Sequence, residues 1–190
     1  MVFGYSDSFN DDTLHDFLVL KLDWVIRMNS SGDILWQYRY GGSGNDYAES
    51  VQVTPDGGYI IAGRTVSFGQ GNSDVWLLKL SDSGDIEWQK TYGSSGNDHP
   101  YSIQVTSDGG YIVVVYTQSY GAGDYDIWVM KLNDRGECTP LDSDTFVIPQ
   151  IPTPASNVPA DVVITANLGS YNTNCTINED PDVTVTPLVP

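Results

Sequence analysis

The chain has 190 residues, 40% of them hydrophobic, and its 8 Lys and Arg against 25 Asp and Glu give a formal net charge of −17 at pH 7. This charge repels phosphate backbones and anionic lipid headgroups, which excludes nucleic acid and acidic membranes as partners. No apolar run reaches the roughly 18 residues that a membrane-spanning helix needs, so membrane insertion is not expected.

The N-terminal segment contains a seven-residue duplication. Residues 16–22 read Asp-Phe-Leu-Val-Leu-Lys-Leu, and residues 23–29 follow at once as Asp-Trp-Val-Ile-Arg-Met-Asn. Gly4 to Phe9 resembles the end of a second strand, and only one of the two copies can then fill the third-strand position. We predict that Trp24 to Met28 fills it, because this segment aligns with Trp76 to Leu80 farther along the chain. The apolar spacing also fits a short helix, which is the alternative.

Two copies of one repeat follow. Residues 32–80 and 84–132 align without a gap at an offset of 52, and 28 of the 49 positions are identical. The shared blocks run Gly-Asp-Ile-x-Trp-Gln, Tyr-Gly-x-Ser-Gly-Asn-Asp, Gln-Val-Thr-x-Asp-Gly-Gly-Tyr-Ile and Asp-x-Trp-x-x-Lys-Leu. Internal periods of about 20 to 50 residues indicate solenoids, propellers or arrays.

Each repeat contains four short β-rich runs separated by turn signals. The Asp-Gly-Gly at 56–58 lies between two of them, where glycine supplies the positive φ of a tight hairpin. The run Val75 to Leu80 is apolar on both faces, so it must be covered on both sides, as in a propeller blade between two neighbours. From the inside outwards, the predicted order of strands is Tyr47 to Thr54, Tyr59 to Thr65, Val75 to Leu80, and then the Trp-containing strand, Ile34 to Tyr40 or Ile86 to Tyr92.

These motifs resemble the tandem Trp and Asp-Gly-Gly β-propeller repeats of secreted bacterial and archaeal surface proteins. The resemblance covers residues 1–137 and implies an extracellular or cell-surface location, but that family has no common activity. One departure is that Ala62-Gly63 becomes Val114-Val115 in the last copy, which indicates altered packing there.

The sequence therefore predicts an all-β fold, with propeller blades of four antiparallel strands in an incomplete ring. The expected divisions are a propeller-repeat region at 1–137, a Pro-rich linker at 138–160 and a tail at 161–190. The repeat region comprises a partial blade at 1–46, a full blade at 47–92 and a blade lacking its outer strand at 99–132.

An open stack leaves apolar faces and strand edges in water. We therefore expect copies to complete one another as a homo-oligomeric ring or a filament. The alternative is that the chain is a fragment of a larger propeller protein or enzyme.

The C-terminal part has a different composition. From Gly136 onwards there is no Lys, Arg or Trp, but there are eight of the ten prolines. Asp161 to Ala166 and Val183 to Pro187 alternate β-branched and polar residues, so each is a candidate edge strand or donated strand, with disorder as the competing interpretation. Cys138 and Cys175 bracket the linker and are a candidate disulfide.

No cofactor is expected, with calcium as the alternative. Asp46 and Asp98 end glycine-rich motifs that approach the Gly-Gly-x-Gly-x-Asp pattern of calcium-binding β-rolls. Those rolls repeat the motif every nine residues or so, whereas here it recurs after 52. A blade-connecting turn, with Asn and Asp bonding their own backbone, is the favoured interpretation.

We expect a non-enzymatic scaffold or adhesion protein, because no partnered nucleophile accompanies the two histidines and no carboxylate pair stands in a distinguishable motif. A carbohydrate-binding propeller is the alternative, since aromatic rings stack on sugar faces. Five aromatic residues in or beside turns are the candidate glycan contacts: Tyr47, Phe68, Tyr101, Tyr120 and Tyr125.

Overall fold

The structure is a computed structural model that describes residues 2–5, 17–21, 24–121, 124–139, 177–178 and 186–187, with side chains at 24–121 and 124–139. These residues form strands, turns and bends, and none of them lies in a helix that could cross a membrane. The strands are β1 (Val2–Tyr5), β2 (Phe17–Lys21), β3 (Trp24–Met28), β4 (Ile34–Arg39), β5 (Asp46–Val53), β6 (Tyr59–Thr65), β7 (Asp74–Leu80), β8 (Ile86–Tyr92), β9 (Asp98–Val105), β10 (Tyr111–Thr117), β11 (Asp126–Leu132), β12 (Cys138–Thr139), β13 (Ile177–Asn178) and β14 (Thr186–Pro187).

The strands form three antiparallel sheets, each a meander of neighbours in sequence. We call them the first blade (β1 to β4), the second blade (β5 to β8) and the third blade (β9 to β12). The innermost strands contact one another from blade to blade, β1 with β5 and β5 with β9. The described sheets do not close into a ring. The predicted all-β fold of four-stranded, incomplete propeller-like blades is confirmed, as is the order of strands within the second blade.

The predicted hairpin turns are present. The N–H of Thr54 donates to the carbonyl of Gly58 at 2.9 Å, and Gly57 between them has φ +87°. The carboxylate of Asp56 accepts from the Gly58 N–H at 3.0 Å and pairs with the ammonium of Lys79 at 2.9 Å. The turn is thus fastened to the third strand of its own blade, and the same arrangement recurs 52 residues later.

Two hydrophobic clusters fill the spaces between the blades. The first joins Val25 and Tyr40 to the near face of the second blade, and its other buried members are Val51, Tyr59, Ile61, Trp76, Leu78 and Leu80. The second joins the far face of the second blade to the third, through Ile60, Ala62, Val75, Leu77, Tyr92, Ile103, Tyr111, Val113, Val115, Met130 and Leu132. Alternate residues of β7 therefore belong to different cores, which explains why this strand is apolar on both faces.

Hydrogen bonds also join each outer strand to the following blade. The hydroxyl of Tyr40 donates to the carbonyl of Gly84 at 2.5 Å, and that of Tyr92 donates to the carbonyl of Gly136 at 2.7 Å. Because the pattern repeats with the sequence, blade-to-blade packing is a property of the repeat.

Both copies of the N-terminal duplication form strands, β2 and β3, and they pair with each other so that Phe17 lies opposite Met28. Trp24–Met28 is the third strand of its blade, as predicted, and the helical alternative is wrong for the described residues. Gly4 lies in the innermost strand and Phe17–Lys21 takes the second position, so the assignment of Gly4 to the end of a second strand is wrong. Each copy has enough β propensity to form a strand, and antiparallel pairing satisfies the backbone groups of both. The first blade therefore has four strands, with β1 innermost.

The C-terminal strands extend the outer edges of the blades. Cys138–Thr139 pairs with β11 in the outer-strand position of the third blade, where we predicted that the strand is missing. Ile177–Asn178 pairs with β8, and Thr186–Pro187 pairs with β4. The end of the predicted strand Val183 to Pro187 is therefore an edge strand on the chain's own first blade, whereas Asp161 to Ala166 lies outside the described residues.

Candidate functional site

The face of the third blade that points away from the second blade is apolar and uncovered within the described part of the chain; we call it the open face. Its most exposed residue is Ile127, which is 70% exposed. Its other members are the exposed Tyr101 and Tyr116 and the half-buried Ile112, Val114 and Val129. In the register of β10 with β11, Val114 lies opposite Val129 and Tyr116 opposite Ile127, so these side chains share one face.

The equivalent face of the second blade is buried against its neighbour. Val75 occupies the position 52 residues before Ile127 and is 0% exposed, because the third blade covers it. Ala62 and Leu77, which match Val114 and Val129, are also fully buried. The repeat thus carries a blade-docking face that is occupied on the second blade and exposed on the third.

The open face is also more aromatic than its counterpart. The rings of Tyr101 and Tyr116 meet edge to face with centroids 6.0 Å apart. In the second blade the same two positions are Glu49 and Arg64, which form an ion pair at 3.2 Å. A charged pair has become a tyrosine pair in the last copy, and this substitution is the sequence signal by which Tyr116 could have been recognised as a site residue. Ile127 carries no such signal, because its counterpart Val75 is also β-branched and apolar.

The first blade has the complementary end face. Trp24, Ile26 and Met28 are half-buried and alternate with Val25, which points into the core shared with the second blade. The matching residues of the second blade, Trp76, Leu78 and Leu80, are buried. The two ends of the stack therefore carry the two halves of the contact that joins the blades internally.

The five aromatic residues predicted to contact a glycan are distributed over several places. Phe68 packs against Trp76 with centroids 5.7 Å apart, and Tyr120 packs against Trp128 at 4.6 Å, so both extend the cores. Tyr47 lies 4.2 Å from the guanidinium of Arg64 and lines an apolar cavity of about 20 Å³ between the first two blades. That volume holds about one water molecule and no sugar. Tyr101 and Tyr125 are exposed, and Tyr101 belongs to the open face.

Asp46 and Asp98, the calcium candidates, are buried at the first residue of an inner strand. Asp46 accepts hydrogen bonds from the hydroxyl of Thr65 at 2.5 Å, the hydroxyl of Ser67 at 2.8 Å and the N–H of Gly42 at 2.9 Å. Asp98 accepts the equivalent bonds. Each carboxylate therefore fastens the connection between blades to the loop after the second strand. Within the described ranges, no group of three or more His, Cys, Asp or Glu residues could hold a metal ion.

Cys138 is disulfide-bonded, and the described part of the chain has no free cysteine. It lies in β12, at the outer edge of the third blade. Cys175 is outside the described residues, so the pairing of these two cysteines stays a prediction. A bridge from Cys138 to Cys175 would attach the C-terminal part of the chain to the last blade.

The chain matches no known family model and is not significantly similar to any curated protein.

Proposed function

We propose that this chain is a non-enzymatic, extracellular or cell-surface scaffold that serves adhesion and self-assembles head to tail. The third blade of one copy packs on the first blade of the next. The observation that carries this proposal is the contrast between Ile127, 70% exposed, and Val75, 0% exposed at the same position of the preceding blade. The extracellular location rests on the resemblance of the repeats.

The contact between copies would repeat the contact between blades. One partner presents Ile112, Val114 and Ile127, and the other presents Trp24 and Ile26, which are the repeat equivalents of residues that already pack together inside the chain. Such a contact joins two different surfaces, so it builds a ring if the rotation per copy closes and a filament if it does not. The two-residue strands β13 and β14 offer a second link, because so short a pairing exchanges readily between copies.

The net charge opposes this association. Each copy carries a formal charge of −17, so apolar burial must overcome electrostatic repulsion when copies meet. Added salt screens the repulsion and should strengthen assembly, which is the opposite of its effect on an association held by ion pairs.

Sedimentation velocity over a range of protein concentrations, followed by electron microscopy, tests the proposal. We expect wild-type protein to form larger species as concentration or salt rises, and Ile127→Lys to remain monomeric because it places a charge in the contact. Val66→Lys is the matched control, since Val66 is 53% exposed in the loop after β6 and lies away from both end faces. A wild-type monomer at every concentration and salt level would refute the proposal.

Carbohydrate binding is a second candidate, favoured by the exposed Tyr101 and Tyr116 pair. Tyr101→Ala should then abolish binding on a glycan array. Tyr120→Ala is a poor probe because Tyr120 packs on Trp128, so its loss would disturb the blade itself. An array without a signal for the wild-type chain would exclude this function for the glycans it carries.

A further inference from the structure

The junction between the second and third blades encloses an aspartate with an unused acceptor. Asp74 begins β7 and is fully buried. Its Oδ2 accepts a hydrogen bond from the N–H of Gly71 at 2.8 Å, but its buried Oδ1 has no hydrogen-bond partner. An unpaired carboxylate oxygen in a protein interior is costly, and such atoms call for a ligand.

The unpaired oxygen faces a second buried carboxylate. A side chain added at Gly93 would begin 2.3 Å from Asp74 Oδ1 and 2.4 Å from Asp98 Oδ2, so the two oxygens are neighbours across this glycine. Asp98 is also fully buried, and its Oδ2 accepts from the hydroxyl of Ser119 at 2.5 Å and the N–H of Ser94 at 3.2 Å.

Two backbone carbonyl oxygens approach the same place. The Cβ position of an alanine at Gly71 would lie 2.4 Å from the oxygens of both Ser94 and Gly96, and 3.3 Å from Asp74 Oδ1. The loops that present these atoms are held together by backbone hydrogen bonds, including one of 2.7 Å from the N–H of Asp98 to the carbonyl of Ser73. Asp74 Oδ1 is therefore near three further oxygens of the third blade and its connection: Asp98 Oδ2 across Gly93, and the carbonyl oxygens of Ser94 and Gly96 across Gly71.

Electrostatics make this arrangement unfavourable without a positive charge. Burial raises the pKa of Asp74, and the nearby carboxylate of Asp98 raises it further, while the N–H groups of Gly71 and Gln70 act in the opposite direction. Two ionised carboxylates and two carbonyl dipoles repel one another in a medium of low dielectric constant. A bound cation removes that repulsion for all four oxygens, whereas a single proton joins only two of them.

We propose that these oxygens bind one divalent cation per chain, with Ca²⁺ as the fitting ion, and that the ion fastens the second blade to the third. Asp74 Oδ1 and Asp98 Oδ2 supply the negative charge, and the carbonyl oxygens of Ser94 and Gly96 complete a set of hard donors of the kind that Ca²⁺ prefers. Water molecules would fill the remaining coordination positions.

The repeats limit this site to one junction. At the junction of the first and second blades, Asp46 corresponds to Asp98, but the position corresponding to Asp74 is Leu22. On the third blade, Asp126 corresponds to Asp74, but the repeat alignment ends at Leu132 and contains no counterpart of Asp98 beyond it. Asp126 therefore has the same place at the start of a third strand without a second aspartate to match, which makes it a control.

Terbium luminescence on the full chain provides the direct test, because Tb³⁺ replaces Ca²⁺ and is excited through nearby aromatic rings. We expect wild-type protein to bind Tb³⁺ at one site per chain in moderate salt, with displacement by Ca²⁺. Saturating Ca²⁺, at about 100 times its Kd, should raise the Tm by about 5 to 10 °C. Asp74→Asn should lose both effects, and Asp126→Asn should keep both.

Three results would overturn the proposal. The first is wild-type protein that gives no sensitised Tb³⁺ emission and no change in Tm with Ca²⁺ or a chelator. The second is a wild-type chain whose stability does not change with Ca²⁺, together with a metal-free Asp74→Asn variant that is at least as stable; this pair of results would show that a shared proton satisfies the two carboxylates. Weak binding to many surface carboxylates disappears in salt and would also count against the site. If Asp74→Asn does not fold, the stoichiometry measured on wild-type protein still decides the matter.

Discussion

The repeat supplies its own control for the open face, because Val75 and Ile127 occupy one position in two blades. Val75→Ala deletes two carbons from a filled core, and together with the cavity left behind this should lower the free energy of unfolding by about 2 to 3 kcal/mol. Ile127→Ala deletes three carbons from a side chain that is 70% exposed. In a dilute, monomeric sample its effect should therefore stay within about 0.5 kcal/mol.

Ile127→Ala, which has little effect on unfolding, should have a large effect on association between copies. The contact between copies would bury the 70% of the Ile127 side chain that is exposed, at roughly 0.8 kcal/mol per buried CH₂. Ile127→Ala should therefore weaken the free energy of association by about 1.7 kcal/mol per junction, which raises the dissociation constant about 15-fold. Denaturant unfolding at low concentration and sedimentation equilibrium at high concentration measure the two quantities separately.

The reasoning would be refuted if Ile127→Ala destabilised the dilute chain as much as Val75→Ala, because a neighbour within the same chain would then cover the open face. It would also be refuted if Ile127→Ala left the association constant of the wild-type chain unchanged.

Three further predictions concern the blades themselves. Thr117→Val removes a hydroxyl that donates to the buried carboxylate of Asp98 and should lower the free energy of unfolding by about 2 kcal/mol in urea titrations, whereas a loss below about 0.5 kcal/mol would contradict this role. Gly57→Ala places a side chain at φ +87° with open space around it, so backbone strain alone should lower the free energy of unfolding by about 1 kcal/mol. An unchanged urea midpoint would show instead that the turn relaxes. Burial raises the pKa of Asp56, but hydrogen bonds from Thr54, Lys79 and Gly58 outweigh this and lower it to about 2. The stability that ionised Asp56 contributes is therefore complete above pH 3.8, its ordinary pKa, and is lost as the pH falls towards 2. The urea midpoint of unfolding should decline over that pH interval, and it should decline less in Lys79→Met.

Much of the fold could be predicted from the sequence because it depends on local preferences. Alternating β-branched and aromatic residues define the strands, and glycines at fixed offsets define the turns, as the positive φ of Gly57 confirms. The apolar character of both faces of Val75 to Leu80 even predicted that the second blade is covered on its two sides. The N-terminal duplication was less predictable, since each copy has the propensity for a strand and the partners that each finds are set by distant residues.

Local sequence preferences specify the blade, its strand order and the fact that a row of such blades has two unsatisfied ends. Which residues stand at those ends depends on how the blades pack against one another. Val75 and Ile127 are both β-branched residues in the same motif, and one is buried and the other exposed because, among the described residues, a following blade covers the first alone. The approach of Asp74 to Asp98 is likewise a product of packing, because the two carboxylates belong to different blades and become neighbours only when the loop of one meets the connection to the other.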